Sequence, residues 1–209
     1  MEIKLISYDE KYKEKIYFAG RTCFGLKSLT EKDTPEKMSK FIKNIIKLDH
    51  GSVLEHVNYT INVTDVSRSL LAQWTRHRIG WSFNVLSQHY VPHNGFRYKD
   101  LETLKDEKLI KEYHNLMETI NNFYIKLCDS GLPHYIAREV LPNGAYTNMY
   151  VTFNARSIRH FLNLRLTNSN TPEIIALSLK LLKIIYKITP EIVEDYYDEY
   201  VKDNKYIYK

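Results

Sequence analysis

The stretch RHRIGWSFNVLSQHY, Arg76 to Tyr90, decides how the rest of the chain is read. It sets Arg-His-Arg directly before a run that mixes Trp, Ser, Phe, Asn and His and offers few core positions. Three adjacent basic groups resist burial, because desolvating a charge is costly unless an anion or a hydrogen-bond partner compensates. A negative partner is therefore expected nearby. Two readings fit the residues. One is a solvated helix end, where cations meet the negative pole of the macrodipole. The other is a phosphate site, for which the planar guanidinium fork is suited and to which Ser82, Asn84 and Ser87 add neutral donors. Ser87 has no Gly-x-Ser-x-Gly elbow around it, so it reads as a hydrogen-bonding group and not a nucleophile.

Working outward, Ser67 to Arg78 reads as a helix with Leu70, Leu71 and Trp74 on its inner side. On that helix Gln73, Arg76 and His77 fall at spacings of three and four and share one surface patch. Upstream, VNYTINVTDVS is β-branched and aromatic with period two, a strand, and MEIKLISY at the start is another. Between them lies a helix from Asp9 to about Ala19 and a loop where AGRTCFG breaks the pattern with two glycines. A second helix is opened by Thr34-Pro35 and striped by Met38, Phe41, Ile42, Ile45, Ile46 and Leu48. Downstream come a long helix from Leu104 to Cys128 and a short one over Pro133 to Val140. The strand AYTNMYVTFN leads into the helix NARSIRHFLNLRL, and Pro172 and Pro190 open two more. Three strands among many helices make an α+β pattern.

A chain of 209 residues, 44% hydrophobic and 26% charged, fits one globular domain spanning residues 1–209. The net charge of +5 favours anionic partners, but the cationic residues are dispersed and no nucleic-acid motif is present, so a phosphorylated small molecule fits better than nucleic acid. No apolar run of about 18 residues and no signal peptide is seen, so neither membrane spanning nor secretion is expected and the cytoplasm is. Cys23 and Cys128 are too few for a disulfide framework and read as reduced thiols.

Two further clusters carry chemistry. His50-Gly-Ser52-Val-Leu-Glu55-His56 can be a metal loop, a turn in which Glu55 pairs with a basic residue, or a loop contacting a phosphate or cofactor; it lacks the HExxH spacing. In NARSIRHFLNLR, Asn154 and Arg165 stand eleven positions apart, three helical turns, and can look into one groove, while Arg156 and Arg159 read as surface charge. No P-loop or dinucleotide fingerprint occurs, so a nucleotide must be held by side chains and helix ends.

Together these stretches resemble the flavin-dependent thymidylate synthases. AGRTCFGLKS resembles that family's early Ala-Arg-x-Cys/Ser segment, HGSVLEH its His-x-Ser/Thr-x-x-Glu-His loop, QWTRHRIGWSFNVLSQHY its Arg-His-Arg signature, and AREVLPNGAYTNMYVTFNARSIRHFLNLR its later segment. The resemblance implies a fold of helices packed on a mixed or antiparallel sheet, a homotetramer with shared sites, and C5 methylation of dUMP. It implies methylenetetrahydrofolate as one-carbon donor, FAD as cofactor and NADPH as reductant. It also implies that His50, Ser52, Arg76, His77, Arg78, Ile79, Asn154 and His160 hold the cofactor. Gln73, Ser87, Gln88, His89, Arg138 and Arg165 would hold the nucleotide, with Arg165 catalytic through polarisation of the pyrimidine.

The chain departs from the family's pattern in named places. Eight residues, Ile79 to Leu86, separate Arg-His-Arg from Ser87 where the family has seven, an insertion near Gly80-Trp81. Val85 stands in place of Glu, His89 in place of Arg, and Ser169 in place of a flavin-side His. The departures concentrate on the nucleotide half, so UMP or another pyrimidine nucleotide is the alternative substrate, and a flavoprotein without methyl transfer the alternative activity.

Overall fold

Alternation at the start of the chain becomes β1, Glu2–Tyr8, and the β-branched run becomes β2, Asn58–Ser67. The computed structural model describes residues 1–25, 27–90 and 94–203, so Leu26 of the AGRTCFGLKS segment lies outside the described residues. Helices α1, Tyr12–Thr22, and α2, Pro35–Lys47, fill the interval between these strands. After β2 come α3, Arg68–Trp74, and β3, Trp81–Val85, then α4, Glu107–Asp129, and α5, His134–Ala137. β4, Tyr146–Asn154, leads straight into α6, Ala155–Arg165, followed by α7, Pro172–Ile188, and α8, Pro190–Tyr197. The four strands form one antiparallel sheet in the order β1-β2-β4-β3, so the α+β architecture is as the residue pattern indicates.

The chain divides into two compact units, and a division falls inside each of the four strands, with a further one after Thr75. One comprises Met1–Glu2, Val63–Thr75 and Asn84–Met149, with Val63, Leu70, Met117, Tyr124 and Met149 in its core. The other comprises Ile3–Asn62, Arg76–Phe83 and Tyr150–Lys209. Its core is deeper: α7 buries Ile174, Ile175, Leu177, Leu181, Leu182 and Ile185, and α6 adds Ile158, Phe161 and Leu162. Burying such a side chain fully contributes about 1.5–3 kcal/mol before conformational entropy is subtracted, so the α6–α7 pair anchors this unit.

Thr34 caps its helix as the Thr34-Pro35 pair indicates, and two further caps appear at Ser67 and Asn154. Thr34 accepts from the Lys37 amide at the start of α2, Ser67 from Leu70 at α3, and Asn154 from Ser157 at α6. Three expectations need correction. The segment AGRTCFG is not all loop, since α1 continues through Gly20 to Thr22. A Cβ at Gly20 would overlap the Phe41 ring, so here glycine serves close approach of α1 to α2 and does not break the helix. The helix expected over Ser67 to Arg78 stops at Trp74, which places Arg76 and His77 beyond it; their helical spacing does not set their geometry. A fourth strand, β3, follows the basic triplet, with Trp81, Phe83 and Val85 half-buried between the exposed Ser82 and Asn84.

One buried acid ties three helices of the second unit together. Glu191, in the first turn of α8, accepts from the Tyr12 hydroxyl at 2.5 Å and the Ser39 hydroxyl at 2.7 Å, and pairs with Lys13 at 2.8 Å. Burial alone would raise its pKa, but the donors of Lys13, Tyr12 and Ser39 outweigh it and hold the carboxyl at about 2. A carboxylate depressed from 4.5 in this way contributes stability that is complete above about 4.5 and is lost as pH falls towards 2. Thermal melts between pH 5 and pH 2 are expected to show the wild type losing stability through this window and Glu191→Gln starting less stable but falling less steeply. Parallel pH profiles for the two proteins would count against the assignment.

Candidate functional site

The basic triplet is positioned by the turn that follows it. Ile79 and Gly80 lie across the first turn of α6: the Ser157 hydroxyl donates to the Ile79 carbonyl at 2.8 Å, and the Asn154 amide donates to the Gly80 carbonyl at 3.1 Å. Gly80 has φ +71°, and a Cβ there would overlap Ser157 Oγ and the Asn154 amide group. Glycine is therefore required twice, for its backbone conformation and for its lack of a side chain. Asn154 spends its side-chain oxygen on the Ser157 amide at 2.8 Å. It seats the turn and does not share a groove with Arg165, contrary to the helical-spacing expectation.

Held in this way, Arg76, His77, Arg78, Ile79 and Trp81 line an open pocket of about 600 Å³ whose other walls are His160, Leu164 and Arg165 of α6. His77 is only 7% exposed, and its Nε2 accepts from Arg165 Nε at 2.9 Å. Its ring meets Phe161 edge-on at 4.9 Å. Burial first, then the charge of Arg165, then His160 and Arg76, lower the His77 pKa to about 4. The imidazole is thus neutral at pH 7, with its proton on Nδ1 so that Nε2 can accept. Arg165 Nη1 donates to Asn170 Oδ1 at 3.2 Å, so two neighbours fix the guanidinium plane. Burial and the like charge of Arg76 both lower the Arg165 pKa. Among the described residues no carboxylate lines this pocket, while Ile79 at its rim is 90% exposed. A cationic cavity with an apolar rim suits an anionic ligand carrying a planar ring.

His160 also lines a second pocket, of about 440 Å³, with Asp49, His50, Gly51, Arg156, Arg159, Asn163 and Tyr196. His50 and His160 are thus brought together. Ser52 is exposed on the 3₁₀ turn Gly51–His56 and lines neither pocket. Glu55 pairs with a basic residue, Arg156, at 2.5 Å. Arg159 is not surface charge: its fork holds Asp195 through two bonds of 2.7 Å, donates to the Ile192 carbonyl at 2.7 Å, and lies over the Tyr196 ring.

The nucleotide residues Gln73, Ser87, Gln88, His89 and Arg138 belong to the first unit. There the Ser87 hydroxyl accepts from the amides of His89 at 3.1 Å and Tyr90 at 3.3 Å, closing a turn. The His89 ring stacks on Tyr135 at 4.8 Å and an interplanar angle of 19°. Gln88 lines a small cavity of about 210 Å³ with Asp65, Arg97, Tyr146 and Asn148. Arg138 stands near Arg68, whose pKa is lowered by burial and then by the charge of Arg138.

A family profile described as "Thymidylate synthase complementing protein" matches residues 4–191. A flavin-dependent thymidylate synthase from Geobacter sulfurreducens is 33% identical over 201 residues, 93% of this chain and 86% of that protein. One from Saccharolobus solfataricus is 34% identical over 197 residues, 92% of this chain and 75% of that protein. One from Clostridium tetani is 28% identical over 212 residues. The chain belongs to the flavin-dependent thymidylate synthase family. It is an enzyme of that family, and the basic triplet Arg76-His77-Arg78 lies within the matched region.

Within this thymidylate synthase family member, Arg156 is exposed as its surface reading has it, while Arg159 and Trp81 depart from the sequence reading. The carboxylate partner of Arg159 is 36 positions away, beyond the reach of local spacing. Trp81 was read only as the neighbourhood of an insertion; the alternation of Trp81, Phe83 and Val85 was the available signal.

Two outcomes test the geometry. Gly80→Ala is expected to cost about 2 kcal/mol or more, read as a loss of melting temperature, because it forces a side chain into a left-handed backbone against α6. An unchanged melt would mean that the turn is not seated as described. Nitrogen-15 NMR of the His77 ring is expected to show the Nδ1-protonated tautomer at neutral pH and a midpoint near 4, and the folded state loses stability as pH falls from 6.5 towards that value. A midpoint at 6.5 would contradict the burial and the Arg165 bond.

Proposed function

We propose that this chain is an FAD-dependent enzyme that methylates dUMP at C5, taking its one-carbon unit from methylenetetrahydrofolate and its reducing equivalents from NADPH. Family membership supports thymidylate synthesis in general. The observation that supports the cofactor assignment is the cationic pocket of Arg76, His77, Arg78, Ile79, Trp81, His160 and Arg165, which among the described residues holds no carboxylate. Its donor set fits a flavin nucleotide: guanidinium groups for phosphate, a neutral imidazole, and apolar and aromatic surface for a ring. When bound, the flavin supplies hydride chemistry that no side chain offers.

In this reading Arg76, His77, Arg78, Ile79 and His160 hold the cofactor, Asn154 fixes the turn that presents them, and His50 and Ser52 approach from the 3₁₀ turn. Gln73, Ser87, Gln88, His89, Arg138 and Arg165 bind the nucleotide. Arg165 acts on the reacting ring. Its plane is fixed by His77 and Asn170, so its donors are oriented before substrate arrives and little reorganisation is needed when charge develops on a pyrimidine carbonyl. Neutral His77 is suited to this task, because a protonated ring could not accept from Arg165. The whole of residues 1–209 serves as one catalytic domain, in a homotetramer whose sites are shared between subunits. The small-molecule ligands involve no nucleic acid or membrane; among the described residues no helix is long and apolar enough to cross one. The free cysteines Cys23 and Cys128 suit a cytoplasmic setting.

A second substrate reading rests on Val85 and His89. The His89 ring stacks on Tyr135 and offers no guanidinium fork to the nucleotide, so UMP or another pyrimidine nucleotide is kept as the alternative substrate. The deciding experiment loads the protein with FAD, titrates it with dUMP and then UMP while following flavin absorption, and assays methyl transfer with NADPH and methylenetetrahydrofolate. A dUMP-dependent spectral shift with dTMP formed is expected. Methylation of UMP alone would transfer the proposal to the second reading, and a flavin-loaded protein that methylates neither nucleotide would overturn both.

A further inference from the structure

Trp81 follows the Gly80 turn at the start of β3, and its side chain forms part of the pocket wall. Its indole is half-buried. It stacks on Phe153 at 4.7 Å and an interplanar angle of 29°, lies 5.4 Å from Phe161, and runs nearly parallel to Phe83 at 5.8 Å and 4°. Phe153 and Phe161 are themselves almost wholly buried, so this side of the indole is backed by rigid core. Its remaining surface lines the pocket shared with Arg76, Arg78 and Arg165, and the Gly80 turn immediately before it fixes its height. An aromatic plate supported from behind by the core, beside several guanidinium groups, is the arrangement that receives a planar heteroaromatic ring carried on a phosphate.

We infer that Trp81 is a positioning residue for the cofactor, packing against the planar ring system of the flavin while the neighbouring arginines hold its phosphates. This deepens the function proposed above and rests on the flavin occupying this pocket.

The test compares FAD binding to wild type, Trp81→Ala, Trp81→Leu and Trp81→Phe, each checked for a cooperative melt. Binding is measured by flavin fluorescence and by the long-wavelength absorption shoulder that stacking of indole on flavin produces. On the order of ten-fold weaker binding and loss of the shoulder are expected for Ala, as for removal of a stacking partner in general. Leu refills the volume against Phe153 and Phe161 but has no π face, so it is expected to fold and still bind weakly; Phe is expected to recover most of the affinity. Ala and Leu variants that fold and bind FAD as wild type does would overturn the role of Trp81 while leaving the flavin reading intact. Wild type that binds no FAD would overturn both. Titration of dUMP into flavin-free protein provides the remaining arm: a Trp81-dependent affinity for dUMP with none for FAD would assign the plate to the nucleobase and overturn the inference.

Discussion

The close approach of the Ile79–Gly80 backbone to the first turn of α6 is the constraint on which the candidate site depends. Three features meet there: a positive φ that only glycine adopts cheaply, a serine hydroxyl bonded to a carbonyl of another segment, and an asparagine that caps the helix with its side chain while its own amide reaches the turn. From this contact the triplet Arg76-His77-Arg78 extends to one side and β3 to the other. Because α6 also carries His160 and Arg165, one junction sets the distance between both walls of the pocket.

The charge distribution around that junction is uneven in a way that chemistry explains. Arg156 and Arg159 each hold a carboxylate, whereas among the described residues Arg76 and Arg78 form no ion pair with one. Arg159 is largely removed from water and is satisfied by Asp195, so it acts as a structural tie between α6 and α8. Neighbouring cations raise one another's free energy, and binding of an anion relieves that repulsion. The same helix thus carries arginines used for folding and an arginine available to chemistry.

Local signals in the sequence were enough wherever a rule acts within a few residues. Thr34-Pro35, Ser67, Asn154 and Pro172 stand at or beside helix starts, and the apolar stripe of α2 is legible as spacing. Errors arose where a partner distant in sequence decides. The end of α3 is not legible from Thr75 to Arg78, because the turn that follows at Ile79 and Gly80 is held by Ser157 and Asn154, far along the chain. Gly20 looked like a helix breaker until Phe41 was seen beside it, and the strand character of Trp81 to Val85 depends on pairing with β4. The site residues came mainly from family resemblance. What the structure adds is the neutral state of His77, the fixed plane of Arg165 and the wall formed by Trp81.

His160 faces two cavities, one lined by the basic triplet and the other by His50. A single ring cannot adopt two orientations at once. An occupant that turned the ring from one side would reshape the wall of the other, and thermodynamic reciprocity would make any such effect equal in both directions. The two cavities share one wall residue, an imidazole.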